Sequence, residues 1–366
     1  MKIGILKEHK QGERRVAVSP TITKAFISKG FECLVEEGAG VSSSYKDVDY
    51  ESAGGKILSQ KEVFNQADIL VKINPFSDTE IEMLKKGQVT ISTLYHLSSP
   101  ELIAKLAAKE VNAFSLDAMP RISRAQDMDI LSSQNNLAGY KAVILGAYEM
   151  TKIFPLMMTA AGTITPSRVV IFGVGVAGLQ AIATAKRLGA VVEATDIRTE
   201  TKEQAESLGA KFISVDNTGE TSVGGYATEA SEDYARRQKE AVNESLAKAD
   251  LVITTAFVPG RKAPTLISKE QVEMMKNGAV IIDLAGGQGG NCELGKLNET
   301  VIHNGVKIIS TTNSPESVST NASELFGKNI YNFVMHLTNE NKMKWELEEE
   351  ITDGTLIVHE GKIRKN

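Results

Sequence analysis

Short apolar runs alternate with amphipathic stretches along most of the chain. In the first third, strand-like runs and helical patterns follow one another at 2–6, 21–29, 32–36, 68–73, 89–94, 100–109 and 111–115. A second series of strand-like runs occurs at 168–172, 191–195, 212–215, 251–254, 280–283 and 307–310. Strands that alternate with helices are typical of parallel sheets covered by helices. The pattern therefore predicts an α/β protein with two such series.

A polar stretch and a long helical pattern separate the two series. Residues 119–134 interrupt the alternation, and residues 135–159 are predicted to form one long helix. A second long helix is predicted at 321–337, and two short strand-like runs follow at 355–358 and 362–363.

We therefore expect two Rossmann-like domains with parallel sheets, joined by the two long helices. The first would comprise residues 1–134 completed by 320–366, and the second residues 138–319. Ligands of such folds lie outside the carboxyl ends of the strands, so the nucleotide is expected in the interdomain cleft.

The amino-acid composition excludes several classes of protein. The chain has 366 residues, 42% of them hydrophobic and 24% charged, and a formal net charge of -5, which gives no basic surface for nucleic acid. Its two cysteines, Cys33 and Cys292, predict neither a disulfide framework nor a metal site, and they fit a reducing compartment. The most apolar window, 169–185, is interrupted by glycines and flanked by Arg168 and Lys186, so no membrane-spanning segment is predicted.

The strongest motif in the second series is a glycine turn between a strand and a helix. Gly173, Gly175 and Gly178 follow the apolar run 169–172 and open the helical pattern 176–188. In a dinucleotide fingerprint the first glycine makes the tight turn, the second admits the pyrophosphate, and the third allows close helix packing. The helix N-terminus, here beginning at Val176, would face the phosphates. The alternative is a glycine turn in an α/β domain that binds no nucleotide.

An acidic residue ends the next predicted strand. Asp196 is suited to accept hydrogen bonds from the adenosine ribose and to repel a 2′-phosphate, which favours NAD over NADP. Ile197 adjoins it as a further contact, whereas Arg198 argues in the opposite direction. The carboxylate at the strand end is given more weight.

Several segments together resemble the superfamily of alanine dehydrogenases and nicotinamide nucleotide transhydrogenases. Besides the fingerprint, they are Lys7-Glu8, Glu13-Arg14-Arg15, Pro259-Gly260 and the glycine-rich segment 283–290. The resemblance covers nearly the whole chain, and the two branches of the superfamily catalyse different reactions.

The alanine dehydrogenase branch uses a Lys, a His and an Asp. Here Asn74 replaces the second Lys of the Lys-x-Lys pattern that begins at Lys72, and Gly287 stands where the Asp would be. His96 is retained, but oxidation of an amine also needs a proton acceptor and a positive charge for the substrate carboxylate. An NAD-dependent alanine or amino-acid dehydrogenase is therefore the first alternative, and a non-catalytic NAD-binding module is the second.

The segment 120–134 is similar to the signature loop of the proton-translocating transhydrogenases. The resemblance implies that Arg121, Asp129 and Ser132, with Leu131 beside them, hold the carboxamide and ribose of NAD(H). It implies that Gln126 reaches toward NADP(H) on a partner subunit. A solvated interdomain linker is the alternative interpretation of this segment.

A second segment is similar to the mobile loop that closes over nucleotide in that family. It contains Gly224-Gly225-Tyr226-Ala227, where paired glycines can provide a hinge and the aromatic ring a cover. Tyr140 is expected on the long helix beneath the site, with Gln238 and Phe257 as weaker candidates on the adenosine side.

The resemblance implies the soluble NAD(H)-binding component of a proton-translocating NAD(P)+ transhydrogenase. Hydride would pass directly between NADH and NADP+ held on a partner subunit, so Arg121, Gln126, Asp129 and Ser132 would position the rings without acid–base chemistry. Proton translocation would belong to membrane-embedded subunits. We further expect a homodimer, held peripherally on the cytoplasmic face of the bacterial inner membrane.

Overall fold

The computed structural model describes residues 1–198, 200–215, 232–256, 262–311 and 315–365. The chain divides into two compact units: Met1–Gln134 with Pro315–Asn366, and Asn135–Ser314.

The N-terminal region of the chain alternates strands with short helices. In order, these are β1 (Lys2–Ile5), α1 (Pro20–Ser28), β2 (Glu32–Glu36), α2 (Asp47–Ser52), β3 (Lys56–Leu58), α3 (Gln60–Gln66), β4 (Ile69–Val71), α4 (Asp78–Met83), β5 (Val89–Ser92), α5 (Pro100–Ala108), β6 (Asn112–Ser115) and the long helix α6 (Ile130–Glu149).

The middle of the chain opens with a hairpin and continues with a second alternating series. Its elements are β7 (Met157–Thr159), β8 (Gly162–Ile164), β9 (Arg168–Phe172), α7 (Val176–Arg187), β10 (Val191–Thr195), α8 (Thr201–Ser207), β11 (Lys211–Phe212), α9 (Glu232–Lys248), β12 (Leu251–Thr254), α10 (Lys269–Glu273), β13 (Val280–Asp283), β14 (Thr300–His303) and β15 (Val306–Ser310). The C-terminal region contains α11 (Ser319–Leu337), β16 (Thr338–Asn339), β17 (Lys342–Met343), α12 (Glu350–Thr355), β18 (Leu356–His359) and β19 (Lys362–Ile363).

The first unit is built on an eight-stranded sheet with the order β19-β18-β6-β5-β4-β1-β2-β3. The strands from the N-terminal region run parallel, whereas β18 pairs antiparallel with β6 and β19 with β18. Helix α11 contributes Phe326 and Phe333 to the same core as Phe26 and Phe114. The C-terminal segment therefore supplies both strands and core to this unit.

The second unit is built on a seven-stranded sheet with the order β11-β10-β9-β12-β13-β15-β14. All pairs are parallel except β14 with β15. Strands β12 and β13 are buried along their whole length, and the first three residues of each are apolar, as expected for central parallel strands. Thr195, Phe172, Thr254 and Asp283 are aligned across four neighbouring strands. The loops that follow these strands therefore begin at one sheet edge.

The predicted end of the first long helix is wrong. The helix expected at 135–159 is α6, which begins at Ile130 and ends at Glu149. The last residues of the predicted helix, 157–159, form β7, the first strand of an exposed hairpin whose second strand is β8. Short apolar runs such as 156–158 fit either structure by periodicity alone, and Pro155 cannot continue a helix. The strand expected at 212–215 is also shorter, since β11 ends at Phe212.

Within the described ranges, no helix is both long enough and apolar enough to cross a membrane.

Candidate dinucleotide site

The glycine turn after β9 has backbone geometry that side chains would prevent. Gly173 has φ +90°, and its N–H donates to Thr195 O at 2.9 Å. A Cβ at Gly178 would lie 1.9 Å from Gly173 O, so α7 can approach the turn this closely only without a side chain there. These two positions fit the tight turn and the close packing of the fingerprint.

Gly175 lies in open surroundings, in contrast to its two neighbours in the motif. A Cβ added there would have no atom of the described residues within 4 Å. Gly175 is also the N-cap of α7, and no described side chain caps that helix. The first N–H groups of a helix have no acceptor within the helix and form the positive end of its dipole. This end of α7 is therefore suited to bind a pyrophosphate.

Asp196 connects the turn to the end of β10. Its Oδ2 accepts the Val174 N–H at 2.7 Å, and its Oδ1 accepts the Arg198 N–H at 2.9 Å. The Arg198 guanidinium donates to both oxygens, from Nε at 3.0 Å and from Nη2 at 2.9 Å. Burial raises the pKa of Asp196, but the hydrogen bonds from Arg198 and the two N–H groups outweigh it and hold the pKa below its ordinary value. Ile197 between them is 96% exposed.

Helix α6 meets the first turn of α7 at a glycine that the sequence analysis did not single out. A Cβ at Gly139 would lie 2.1 Å from Ala177 O, so the two helices touch backbone to backbone. Tyr140 follows Gly139 directly and is 41% exposed. The signal in the sequence was a lone glycine inside a long helical pattern, which commonly marks close packing.

Two further residues missed by sequence reasoning fix the loop after β12. Thr255 Oγ1 donates to Gly173 O at 3.0 Å. The Asn291 amide brackets Ala256, accepting its N–H at 3.1 Å and donating to its carbonyl at 2.7 Å. The buried Asp283 accepts the Asn291 N–H at 2.8 Å. This network ties the glycine turn to the glycine-rich segment after β13.

The polar loop of the first unit divides into engaged and free side chains. The Asp129 carboxylate accepts the N–H groups of Leu131 and Ser132 at 2.9 and 3.1 Å, and the Ser132 hydroxyl at 2.6 Å. Asp129 therefore fixes the start of α6 and holds Ser132 in place. Arg121 and Gln126 are exposed, and their side chains have no hydrogen-bond or ionic partner in the described region of the chain. These two planar groups remain available to a ligand.

The remaining candidates of the second unit add little to the site. The Gln238 amide donates to Ile213 O at 2.9 Å and accepts the Val215 N–H at 3.2 Å, so it is used within its own unit. Gly225, Tyr226 and Phe257 lie outside the described residues.

The first unit has its own polar group beyond β1 and β4, which we call the carboxylate cluster: Glu8, Glu13, Arg15, Asn74 and Glu316. Arg15 donates to Glu13 Oε1 and Oε2 at 2.8 and 2.7 Å, to Glu316 Oε1 at 3.3 Å, and also to Gln134 Oε1 at 2.8 Å. The Asn74 amide donates to Glu8 at 3.0 Å and to Glu13 at 2.9 Å. Burial raises the pKa values of Glu8 and Glu316. The guanidinium and the amide of the cluster are therefore already bound by carboxylates of the same cluster.

Lys72, His96 and Gly287 lie in the segments that correspond to the Lys, His and Asp of alanine dehydrogenases. Lys72 is 3% exposed in its side chain and binds Glu80 through Nζ at 2.7 Å. Burial lowers the pKa of His96, whose Nδ1 is buried without a partner among the described residues. Gly287 lies in an exposed turn. No group of three or more candidate metal ligands occurs in the described ranges.

Comparison with protein families shows to which family of Rossmann-like proteins the chain belongs. The family model for the alanine dehydrogenase/PNT N-terminal domain matches residues 4–138, and the model for the alanine dehydrogenase/PNT C-terminal domain matches residues 142–366. The chain belongs to the alanine dehydrogenase/PNT family.

Within that family the chain is more similar to transhydrogenase subunits than to alanine dehydrogenases. It is 50% identical over 375 residues to an NAD(P) transhydrogenase subunit alpha polypeptide of Rhodospirillum rubrum, covering 99% of this chain and 97% of the relative. The crystal structure of transhydrogenase from Sinorhizobium meliloti superposes with a TM-score of 0.92 at 40% identity, covering 99% of this chain and 100% of that one. Alanine dehydrogenase of Bacillus subtilis is 30% identical over 83% of this chain and 74% of its own length.

Proposed function

We propose that the chain is the NAD(H)-binding subunit of a proton-translocating transhydrogenase. The observation that carries this proposal is the open glycine turn at the N-terminus of α7, with Asp196 fixed beside it. The high identity to transhydrogenase subunits along the full chain supports the choice of reaction. The carboxylate cluster argues against amino-acid dehydrogenation, since its only guanidinium, that of Arg15, is already bound by carboxylates of the chain.

In the proposed mechanism the protein positions two nicotinamide rings and provides no acid or base. The nicotinamide of NADH supplies the hydride when it is bound. The N–H groups at the start of α7 bind the pyrophosphate, and Gly173, Val176 and Gly178 shape that turn. Asp196 and Ile197 contact the adenosine ribose.

The polar loop is assigned to the nicotinamide end. Arg121 and the pair of Asp129 and Ser132 would hold the carboxamide and ribose, together with Leu131, and Gln126 would reach toward the NADP(H) of the partner subunit. Orientation accelerates a reaction effectively when the reacting atoms are held about 3–3.5 Å apart. The remaining assigned contacts are Tyr140, Arg198, Gly225, Tyr226, Gln238 and Phe257.

The proposal extends to assembly. Membrane-embedded subunits would carry the protons and one of them the NADP(H), which places this chain peripherally on the cytoplasmic face of the bacterial inner membrane. A homodimer is supported by the β7–β8 hairpin, where Leu156, Met158 and Ile164 are exposed. Exposed strand edges with apolar side chains are favourable surfaces for pairing with a second chain.

The decisive experiment is reconstitution with the NADP(H)-binding subunit. NADH should reduce an NADP+ analogue only when both proteins are present. Gln126→Asn should bind NADH normally and transfer hydride at least about tenfold more slowly, because the loss of one methylene shortens its reach. Gln66→Asn, at the exposed end of α3, is the matched control.

Two outcomes would overturn the proposal. Rapid NADH oxidation by the purified chain with pyruvate and ammonia would favour an amino-acid dehydrogenase. NADH binding without hydride transfer in the reconstituted complex would favour a non-catalytic NAD-binding module.

A further inference from the structure

One buried side chain of helix α11 binds the polar loop, residues 120–134, at two points. The Nδ2 of Asn329 donates to Asp127 O at 2.8 Å, and its Oδ1 accepts the Ser133 hydroxyl at 2.7 Å. Asn329 is 7% exposed, so water competes little for these two hydrogen bonds. A single planar amide therefore connects the two points.

The two points enclose side chains that are assigned to the nicotinamide end of the site. Asp129 and Ser132 lie between Asp127 and Ser133 in the sequence, and Gln126 directly precedes Asp127. Any shift of the backbone between the two points would move the first pair, and a shift at Asp127 would also move Gln126.

Apolar packing also holds the loop, but it specifies position less closely. Ala125, Met128 and Ile130 are buried in the core to which α11 contributes Phe326 and Ile330. Burial of apolar surface has no preferred direction, whereas a hydrogen bond depends on distance and angle. The packing therefore keeps the loop against α11, and the bonds of Asn329 determine where its polar side chains lie.

We propose that Asn329 is a positioning residue for hydride transfer and acts through the backbone of Asp127 and the hydroxyl of Ser133. This inference rests on the proposed function of the polar loop. The amide keeps Asp129 and Ser132 in one arrangement before a nucleotide binds. A misplacement of about 1 Å can slow a reaction on the order of 100-fold, so this arrangement affects the rate.

Neighbouring groups separate this role from a role in folding. Asp127 O also accepts Asn332 Nδ2 at 3.1 Å, and the Ser133 hydroxyl also lies 3.1 Å from Ile130 O. Without the Asn329 amide, each group would therefore keep a hydrogen-bond partner. Because the largest cost of a lost hydrogen bond comes from a buried group left unpaired, we expect Asn329→Ala to fold.

The test compares Asn329→Ala with Asn321→Ala in the complex reconstituted with the NADP(H)-binding subunit. Asn321 is on the same helix, but it is exposed and has no hydrogen-bond partner in the described part of the chain. In a single turnover at saturating NADH, reduction of an NADP+ analogue should be at least about tenfold slower in Asn329→Ala and unchanged in Asn321→Ala.

The Kd for NADH distinguishes positioning from a general loss of structure. Measured by fluorescence on the chain alone, it should change by less than about threefold in both variants, because the pyrophosphate is assigned to the second unit. An unchanged rate in Asn329→Ala, or a rise in Kd as large as the loss of rate, would overturn the inference.

Amide hydrogen exchange tests the same arrangement without nucleotide. In Asn329→Ala, residues 126–133 should exchange at least about tenfold faster than in the native chain, because the loop opens locally more often. Exchange in β9 should be unchanged. Equal exchange of the loop in both proteins would mean that the other contacts suffice to hold it, and the inference would fail.

Ser133→Ala breaks the same connection without a change on α11. It should slow hydride transfer at least about threefold, and the double variant with Asn329→Ala should be no slower than Asn329→Ala alone, because the shared bond is already lost. Two effects that multiply would contradict the assigned path through Ser133.

The outcomes separate this inference from the proposed function. A native complex that transfers no hydride contradicts the proposed function itself. Normal transfer in the native complex together with equally fast transfer in Asn329→Ala overturns the role of Asn329 alone.

Discussion

Both units carry polar groups at the carboxyl edge of a parallel sheet, but the carboxylate cluster of the first unit binds its own donors, whereas the glycine turn of the second leaves backbone donors without acceptors among the described residues. In the first unit, the carboxylate cluster binds its arginine and its amide with carboxylates of the same chain. In the second unit, none of the described side chains caps the first N–H groups of α7, and none of the described atoms lies within 4 Å of a Cβ placed at Gly175. A ligand would break hydrogen bonds in the first case and form them in the second.

The difference shows that a concentration of charged residues is a poor guide to a binding site. The carboxylate cluster contains three carboxylates and one guanidinium, yet it works as a buried support for the loops after β1 and β4. The glycine turn contains almost no functional side chains, and its binding capacity lies in the backbone. Donors left without acceptors are the more useful sign, because buried polar groups otherwise find partners.

The largest effect is expected from opening the carboxylate cluster. Glu13→Ala would leave Arg15, 10% exposed in its side chain, without its bidentate partner. Breaking a buried ion pair by removing one member commonly costs about 3–5 kcal/mol, and we expect the free energy of unfolding in urea to fall by about 3 kcal/mol because Glu316 remains. Glu37→Ala, at an exposed position, should change it by less than about 0.5 kcal/mol. A loss below about 1 kcal/mol in Glu13→Ala would show that Arg15 does not depend on Glu13 as its ionic partner.

A smaller loss of stability is expected from crowding the glycine turn. In Gly178→Ala the new Cβ would collide with the backbone carbonyl of Gly173, which cannot move aside as a side chain can. Overpacking costs about 1–3 kcal/mol, here about 2–3 because the obstacle is backbone, and the better helix propensity of Ala recovers about 1 kcal/mol. The free energy of unfolding should therefore fall by about 1–2 kcal/mol, with loss of NADH binding in calorimetry. Unchanged stability would mean that α7 can shift away from the turn.

Local sequence patterns predict the glycine turn of the second unit better than the carboxylate cluster of the first. The fingerprint, the strand before it and Asp196 are all within one short stretch of sequence, and the apolar runs of β9, β12 and β13 identify buried parallel strands without further information. Arg198 is also visible as a competing contact, because it is two residues from Asp196. Its neutralisation is not visible in the sequence, since side-chain direction after a strand end depends on the turn.

The carboxylate cluster depends on contacts between residues far apart in the sequence, and no local pattern contains such contacts. Arg15 and Glu316 are 301 positions apart, and Asn74 and Glu8 are 66 apart. Strand β7 is mistaken for the end of a helix because its exposed apolar residues have no period that excludes either structure. Short elements such as β3 and the antiparallel edge strand β14 escape prediction for the same reason. Tertiary packing decides such segments.

The sharpest test of the comparison separates folding from binding at one position. Gly175→Ala adds a methyl group where no atom in the described part of the chain lies within 4 Å, and the backbone there, at φ -85°, is accessible to alanine. The free energy of unfolding should therefore be unchanged within about 1 kcal/mol. The same methyl group would occupy the approach of the pyrophosphate to the start of α7, so the Kd for NADH should rise at least tenfold, about 1.4 kcal/mol. If Gly175→Ala binds NADH as tightly as the native chain, the phosphates do not lie at this helix end, and the open turn loses its role as the dinucleotide site.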